Sequence, residues 1–188
     1  MNLSLMAAPH PMGRMAADTL KRAVSEGTGI RLDESGPSQA DILLDIEPGL
    51  GSEGFEISDA PMGTRIRGDD GRGLLYGIGR FLRDARMAPG QFKAGTWRGV
   101  SVPDKPLRGI YLATHFHNFY HDAPVRDVER YIEDLALWGC NALTVFLDLH
   151  HFDGIDDPEC RAMIDRLRAY LLAAGRTGMD LGLVMAAN

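Results

Sequence analysis

Three short apolar runs recur in the second half of the chain: Ile110-Tyr111-Leu112, Asn141–Leu147 and Met179–Met185. Uninterrupted apolar runs of strand length are buried on both faces, as in parallel sheets covered by helices. The segments between them have helical spacing. Val125, Val128, Tyr131, Ile132 and Leu135 mark the first, with Pro124 at its N1 position and Gly139 ending it. Met163, Ile164, Leu167, Tyr170, Leu171 and Ala174 mark the second, opened by Asp157-Pro158 as an N-cap pair. Strand and helix in alternation predict three β/α-type units on a parallel sheet with right-handed crossovers. The sequence then stops at Ala186-Ala187-Asn188, just past the third strand. An eight-stranded α/β barrel needs about 250 residues, so 188 residues predict the front portion of a longer protein.

The first half has a different rhythm. Leu3–Ala7 reads as a strand, and Met12–Ser25 as a helix on Met15, Ala16, Leu20, Ala23 and Val24, ended by Gly27 and Gly29. Asp41–Glu47 is a strand closed by Pro48-Gly49. Phe55–Ser58 and Thr64–Gly68 alternate with period two around Pro61-Met62-Gly63, which predicts a hairpin. Leu74–Arg86 places Leu74, Leu75, Ile78, Phe81, Leu82 and Ala85 on one face, the pattern of a helix packed on a sheet. Met87–Pro106 has no sustained periodicity. The expected class is therefore α/β: a small α+β front domain over 1–95, a linker over 96–106, and over 107–188 the first three β/α units of an incomplete (β/α)8 barrel.

Composition narrows the partners. A net charge of −6 without a basic stripe makes nucleic acid a poor partner. No stretch of about 18 apolar residues exists to span a membrane. The N-terminus lacks a charged region before a long apolar core, so no signal peptide is read and a cytoplasmic location is favoured, unless an export signal precedes Met1. Cys140 and Cys160 form no CxxC pair and read as structural thiols. Gly71-Arg72-Gly73 follows a hairpin, and its spacing to Gly77 is wrong for a dinucleotide fingerprint. It reads as a helix N-terminus at a turn.

Two segments resemble a known family. Glu53-Gly54-Phe55-Glu56-Ile57, a second strand, and Gly73-Leu74-Leu75-Tyr76-Gly77 before a helix resemble the non-catalytic front domain of family 20 β-N-acetylhexosaminidases. Pro106–Leu112 and Tyr131–Phe146 look like the first strand, first helix and second strand of that family's barrel. Related glycoside hydrolases, α-glucuronidases among them, share the front domain. The resemblance implies a hydrolase removing terminal sugars from oligosaccharides, with N-acetylhexosamine a candidate and no metal or organic cofactor. It also implies that Arg108, in the Arg-Gly pair of the first barrel strand, binds sugar hydroxyls, as its fork of donors suits. An arginine opening a strand also fits pairing with a carboxylate at the barrel bottom. The chain departs from the family pattern at Ala113 (usually Asp), Phe116 (usually Arg) and Leu147-Asp148-Leu149 (usually His-Trp-His). The family's catalytic Asp-Glu pair lies on the fourth barrel strand, which this sequence does not reach.

Barrels place functional groups at the C-terminal ends of strands. His115, His117 and His121 follow the first such strand, and Asp148, His150, His151 and Asp153 follow the second. Adjacent parallel strands bring these loops together, which predicts a sugar-binding rim of His115, His117, Asp148, His150 and His151, with Arg108 added by the resemblance. Tyr120 is a further donor there. Three other readings stand beside it: a metal site on His115 and His117 sharing one strand face, with Asp148 or His150 completing the set, which lacks a complete ligand motif; polar loop residues making structural hydrogen bonds; and a non-catalytic carbohydrate-binding or interaction module. No acid/base pair is recognisable in these residues, so the chain alone is expected to be inactive. The uncovered barrel edge predicts self-association.

Overall fold

A computed structural model describes residues 3–186, which leaves Ala187 and Asn188 of the sequence reading outside it. The chain forms two compact units, one ending at Asp104 and the other starting at Lys105.

The first unit opens with β1 (Leu3–Met6) and α1 (Pro11–Thr28). His10 caps α1 by accepting from the Met12 N–H, and Pro11 fills the first turn, where a missing N–H costs nothing. The helix runs through Gly27 and ends at Gly29, whose φ of 75° closes it onto the Ser25 carbonyl. β2 (Leu32–Glu34) and β3 (Ile42–Ile46) flank β1 in parallel. β4 (Phe55–Ala60) and β5 (Gly63–Gly68) form the expected hairpin, with β5 parallel to β3. α2 (Gly71–Asp84) starts three residues before the apolar stripe, because Asp70 caps it by accepting from the Gly73 N–H at 2.8 Å. β6 (Arg86–Ala88) and β7 (Gln91–Lys93) make a separate small hairpin. β8 (Gly99–Ser101) pairs antiparallel with β4.

The sheet order is β2-β1-β3-β5-β4-β8. The stretch 96–106, expected as a linker, thus contains the edge strand β8. It carries too few apolar residues to show a period, yet its backbone completes the sheet. α1 and α2 pack on each other and on the sheet. β3, β4 and β5 alternate buried and less buried positions, so their apolar side chains point to one packed face. Leu20, Leu44, Ile66, Leu74, Leu75 and Ile78 form the centre of that core. On the other face Arg65 pairs with Asp45 at 2.7 Å and Arg67 with Glu56 at 3.2 Å.

Two adjacent aspartates pin the loop before β4. Asp69 Oδ1 accepts from the backbone N–H groups of Gly49, Leu50 and Gly51 at 2.6, 2.6 and 3.1 Å. Asp70 Oδ2 accepts from Glu53 N at 2.8 Å. The Leu50 N–H, with its two neighbours, holds the Asp69 carboxyl below its ordinary range. A carboxyl lowered in the folded state adds stability above its unfolded pKa of about 3.9, and that stability is lost as pH falls through the folded value. Asp69→Asn is therefore expected to be less stable than the parent at pH 7, with the gap closing below about pH 4. Urea titrations at several pH values check this; a gap independent of pH rejects the role given to the carboxylate charge.

The second unit holds β9 (Gly109–Leu112), α3 (Phe119–Asp122), α4 (Val125–Leu137), β10 (Ala142–Asp148), α5 (Pro158–Arg176) and β11 (Asp180–Ala186). Pro124 lies one residue earlier than expected, at the N-cap of α4 rather than N1. Asp157 caps α5 by accepting from Glu159 N. The strands are parallel, in the order β11-β10-β9. β10 is central and alternates fully with buried Leu143, Val145 and Leu147. β11 differs from the expected buried strand: Leu181, Leu183, Val184 and Met185 are all exposed. The apolar composition is that of a covered strand, but the neighbours it has among the described residues, chiefly β10, α5 and the turn at Leu149–His151, leave these side chains open.

Candidate functional site

β9 ends at Leu112, the last residue of the apolar run, and is shorter than the strand over Leu107–Thr114 that the sequence predicts. Thr114 then takes over the pairing with β10. Its hydroxyl donates to the Phe146 carbonyl and accepts from Phe146 N at 3.3 Å, and the residue is 2% exposed. The chain turns sharply after it. Asn118 Nδ2 donates to the Ala113 carbonyl at 2.9 Å, and Asn118 Oδ1 accepts from Tyr120 N at 3.0 Å. This turn carries His117, His121 and Asp122.

The turn separates His115 from His117, so the two do not share a strand face. The His115 ring packs on Phe146 and Phe116, with centroids 4.4 and 4.0 Å apart, and its Nδ1 lies 3.3 Å from the Tyr111 hydroxyl. His117 and His121 stack with centroids 4.5 Å apart. His121 Nδ1 lies 3.1 Å from the Thr114 carbonyl. Tyr120 packs on Tyr131 instead of entering the rim.

β10 ends at Asp148, which caps a 3-10 turn over Leu149–His151. Its Oδ1 accepts from His150 N at 3.1 Å and lies 2.8 Å from His150 Nδ1. Its Oδ2 lies 3.3 Å from His151 Nε2. The hydrogen bond from the His150 side chain, helped by the His150 N–H and the nearby His151, holds the Asp148 carboxyl below its ordinary range.

These loops and the start of α5 enclose a cavity of about 420 Å³. Thr114, His115, His117, His121, Phe146, Asp148 and His151 line it from the strand ends, and Glu159, Met163 and Arg166 from α5. Arg166 donates to the Ala123 carbonyl and to the Tyr170 hydroxyl, and that hydroxyl donates to the Tyr120 carbonyl at 2.8 Å. α5 therefore clamps the histidine-bearing turn. Of the residues singled out in the sequence, His115, His117, Asp148 and His151 meet at this cavity, and His150 stands behind Asp148. Arg108 does not join them. It lies at the opposite end of the sheet, where its Nε donates to the Gly139 carbonyl at 2.7 Å and its Nη1 to the Lys105 carbonyl at 2.6 Å. Thr114, Phe146, Glu159 and Arg166 were not anticipated. Glu159 carried one signal, its place in the first turn of a helix that follows a strand-end loop. The cysteines lie outside the cavity lining, and burial pushes both thiols up, against nucleophilic use.

The arrangement offers imidazoles, a carboxylate held toward its ionised form and an aromatic edge in a concave site. Such groups can exchange hydrogen bonds with several hydroxyls while a ring packs on an apolar face.

No protein-family model and no curated protein matches the chain. Solved structures do. A β-hexosaminidase of Streptomyces plicatus, seen in complex with thio-NAglucal, matches with a TM-score of 0.69 at 19% identity over 99% of this chain and 41% of its own. A family 20 exo-β-N-acetylglucosaminidase of Vibrio harveyi, in complex with N-acetylglucosamine, matches with a TM-score of 0.72 at 15% identity over 96% of this chain and 32% of its own. A GH138 enzyme targeting pectin rhamnogalacturonan II matches with a TM-score of 0.63 at 17% identity over 98% of this chain and 24% of its own. The chain thus shares the α/β fold of the N-terminal region of family 20 β-hexosaminidases and spans about two fifths or less of these relatives' length.

Proposed function

We propose that the chain is the N-terminal part of a glycoside hydrolase acting on terminal sugars of oligosaccharides, with N-acetylhexosamine the leading candidate. On its own, in this reading, it binds sugar without cleaving it. The observation that carries the proposal is the cavity at the C-terminal ends of β9 and β10, within a fold that matches hexosaminidases along nearly its whole length. Strand order equal to chain order supports reading β9, β10 and β11 as the first three strands of a (β/α)8 barrel. The exposed apolar side chains of β11 are those that a following barrel unit, or a second copy, would cover.

Glycosidic cleavage needs a carboxylic acid to protonate the leaving oxygen. Asp148 is unsuited to that role, because its imidazole partners favour the ionised form. As an acceptor for sugar hydroxyls the same carboxylate is well placed, with His115 and His151 beside it. Arg108, expected from the resemblance to hold hydroxyls, is spent on backbone carbonyls and is left out of the proposed rim.

Titrating the chain with N-acetylglucosamine, followed by NMR, is the test. Binding near 1 mM with shifts at His115 and His151, weakened by His151→Ala, and no release of chromophore from an aryl N-acetylglucosaminide, is the expected result. The carbohydrate reading is rejected if these resonances stay still at high sugar concentration, and turnover by the chain rejects the inactive-fragment reading.

A further inference from the structure

The turn after Thr114 brings together a set of groups that sugar binding does not require. His117, His121 and Asp122 each offer a ligand atom, and these atoms all lie within 4.8 Å of one another. We propose that they form a binding site for a divalent cation of the zinc class. The proposal stands on this turn alone and does not rest on the carbohydrate reading.

Three features support it. First, the donor set is two imidazoles and one carboxylate. Nitrogen donors suit zinc, nickel and copper, whereas magnesium and calcium take oxygen ligands. Three protein ligands with the remaining position open is the arrangement of non-structural zinc sites.

Second, the ring of His121 is oriented by the backbone. Its Nδ1 faces the Thr114 carbonyl at 3.1 Å, and a carbonyl can only accept. Nδ1 is therefore the donor in this contact, which leaves Nε2 as the ring nitrogen turned away from the backbone. A backbone carbonyl on the far ring nitrogen is the usual orienting partner of a metal-bound histidine.

Third, the backbone beneath the cluster is fixed. The N–H groups of His121 and Asp122 both donate to the Asn118 carbonyl, at 3.0 and 2.9 Å, while the Asn118 side chain ties the turn to Ala113. Donors around a tetrahedral ion with bonds of about 2.0–2.1 Å sit roughly 3.4 Å apart. The side chains must close in by about an ångström from where they stand. His117 and Asp122, already 3.8 Å apart with side chains 81% and 62% exposed, have the freedom to do so. His117 and His121 also line the cavity, so an ion held between them borders it.

The neighbouring Asp148, His150 and His151 are the competing donors. There both carboxylate oxygens already face imidazole nitrogens, and His150 lies outside the cavity lining. The same chemistry is thus internally satisfied.

Calorimetric titration of the metal-stripped full chain with Zn2+ alone tests the proposal, with Co2+ absorption as a second readout. One ion per chain is expected, with a tetrahedral-type Co2+ spectrum. His117→Ala with Asp122→Asn should weaken binding by about 100-fold or more. Both positions are exposed, and circular dichroism checks that this double variant folds. His150→Ala with His151→Ala should leave the affinity unchanged. The assignment is overturned if the chain takes up no Zn2+, if the His117/Asp122 variant binds as tightly as the parent, or if the His150/His151 variant is the one that loses the ion.

Discussion

Replacing Gly73 by alanine is expected to destabilise the first unit by about 2–3 kcal/mol, a fall of roughly 10–15 °C in its melting temperature. A Cβ built at this position would sit 2.1 Å from the Gly54 carbonyl oxygen and 3.0 Å from its carbon. Both are backbone atoms, so no flexible side chain can swing away. Relief requires the first turn of α2 to lift off the loop before β4, which loosens Leu74, Leu75 and the Asp70 cap together. Alanine's better helix propensity returns only about 1 kcal/mol. Gly36→Ala is the matched control: its Cβ meets nothing within 4 Å, so stability should hold or rise slightly. Thermal melts of the two variants decide the matter; equal melting temperatures would show that the contact between Gly54 and Gly73 yields without cost.

That contact also gives a physical reason for the sequence pattern behind the family resemblance. Gly54 belongs to the first matched motif and Gly73 and Gly77 to the second. Gly77 faces Ile66 and Phe55, where a Cβ would come within 2.7 Å of the Ile66 methyl. The two motifs thus meet in space, where α2 presses on the β4–β5 hairpin at backbone distance. Read from spacing alone, Gly71-Arg72-Gly73 was only a helix start at a turn, because nothing local shows what the glycines lie against.

Elsewhere, what could be read depended on how many side chains an element buries. α1, α2, α4, α5 and β10 carry enough apolar residues for their periods to stand out. β2 buries only Leu32, and β6 and β8 bury no residue. These strands exist by backbone pairing, which leaves no periodic trace. β11 shows the converse, an apolar strand whose composition is clear and whose cover is not in the described residues. At the cavity, the strand-end rule located the histidine loops, since it needs only the strand direction. It could not locate Glu159 and Arg166, which reach the cavity from a helix. The shared face for His115 and His117 assumed that β9 continues past Leu112. Thr114 ends that assumption by bonding to Phe146 and turning the chain.

The cavity's walls depend on a residue at the far end of the same sheet, and Asn141→Ala is expected to cost the second unit about 2–3 kcal/mol. Asn141 is 2% exposed and immediately precedes β10. Its Oδ1 accepts from Arg108 N at 2.8 Å, its Nδ2 donates to the Pro106 carbonyl at 2.7 Å, and its own N–H donates to the Arg108 carbonyl at 3.1 Å. Its carbonyl accepts from Asp180 N at 2.8 Å. One side chain thus ties the start of β9 to β10, while its backbone continues the link to β11. Alanine removes both side-chain bonds and leaves a donor and an acceptor without them, each worth about 1 kcal/mol or more. The register is at stake as well. Ala142 faces Gly109 and Val145 faces Leu112, and that alignment brings Thr114 to Phe146. A slip of one residue would turn every β9 side chain to the other face, carrying His115 off Phe146. β9 is only four residues long, so few other ladder bonds resist the slip. The expected result is a lower urea midpoint at unchanged slope, with amide exchange accelerated most in β9. Exchange that rises equally over the whole unit would instead make Asn141 a general contributor to stability with no part in fixing the strand that carries the site.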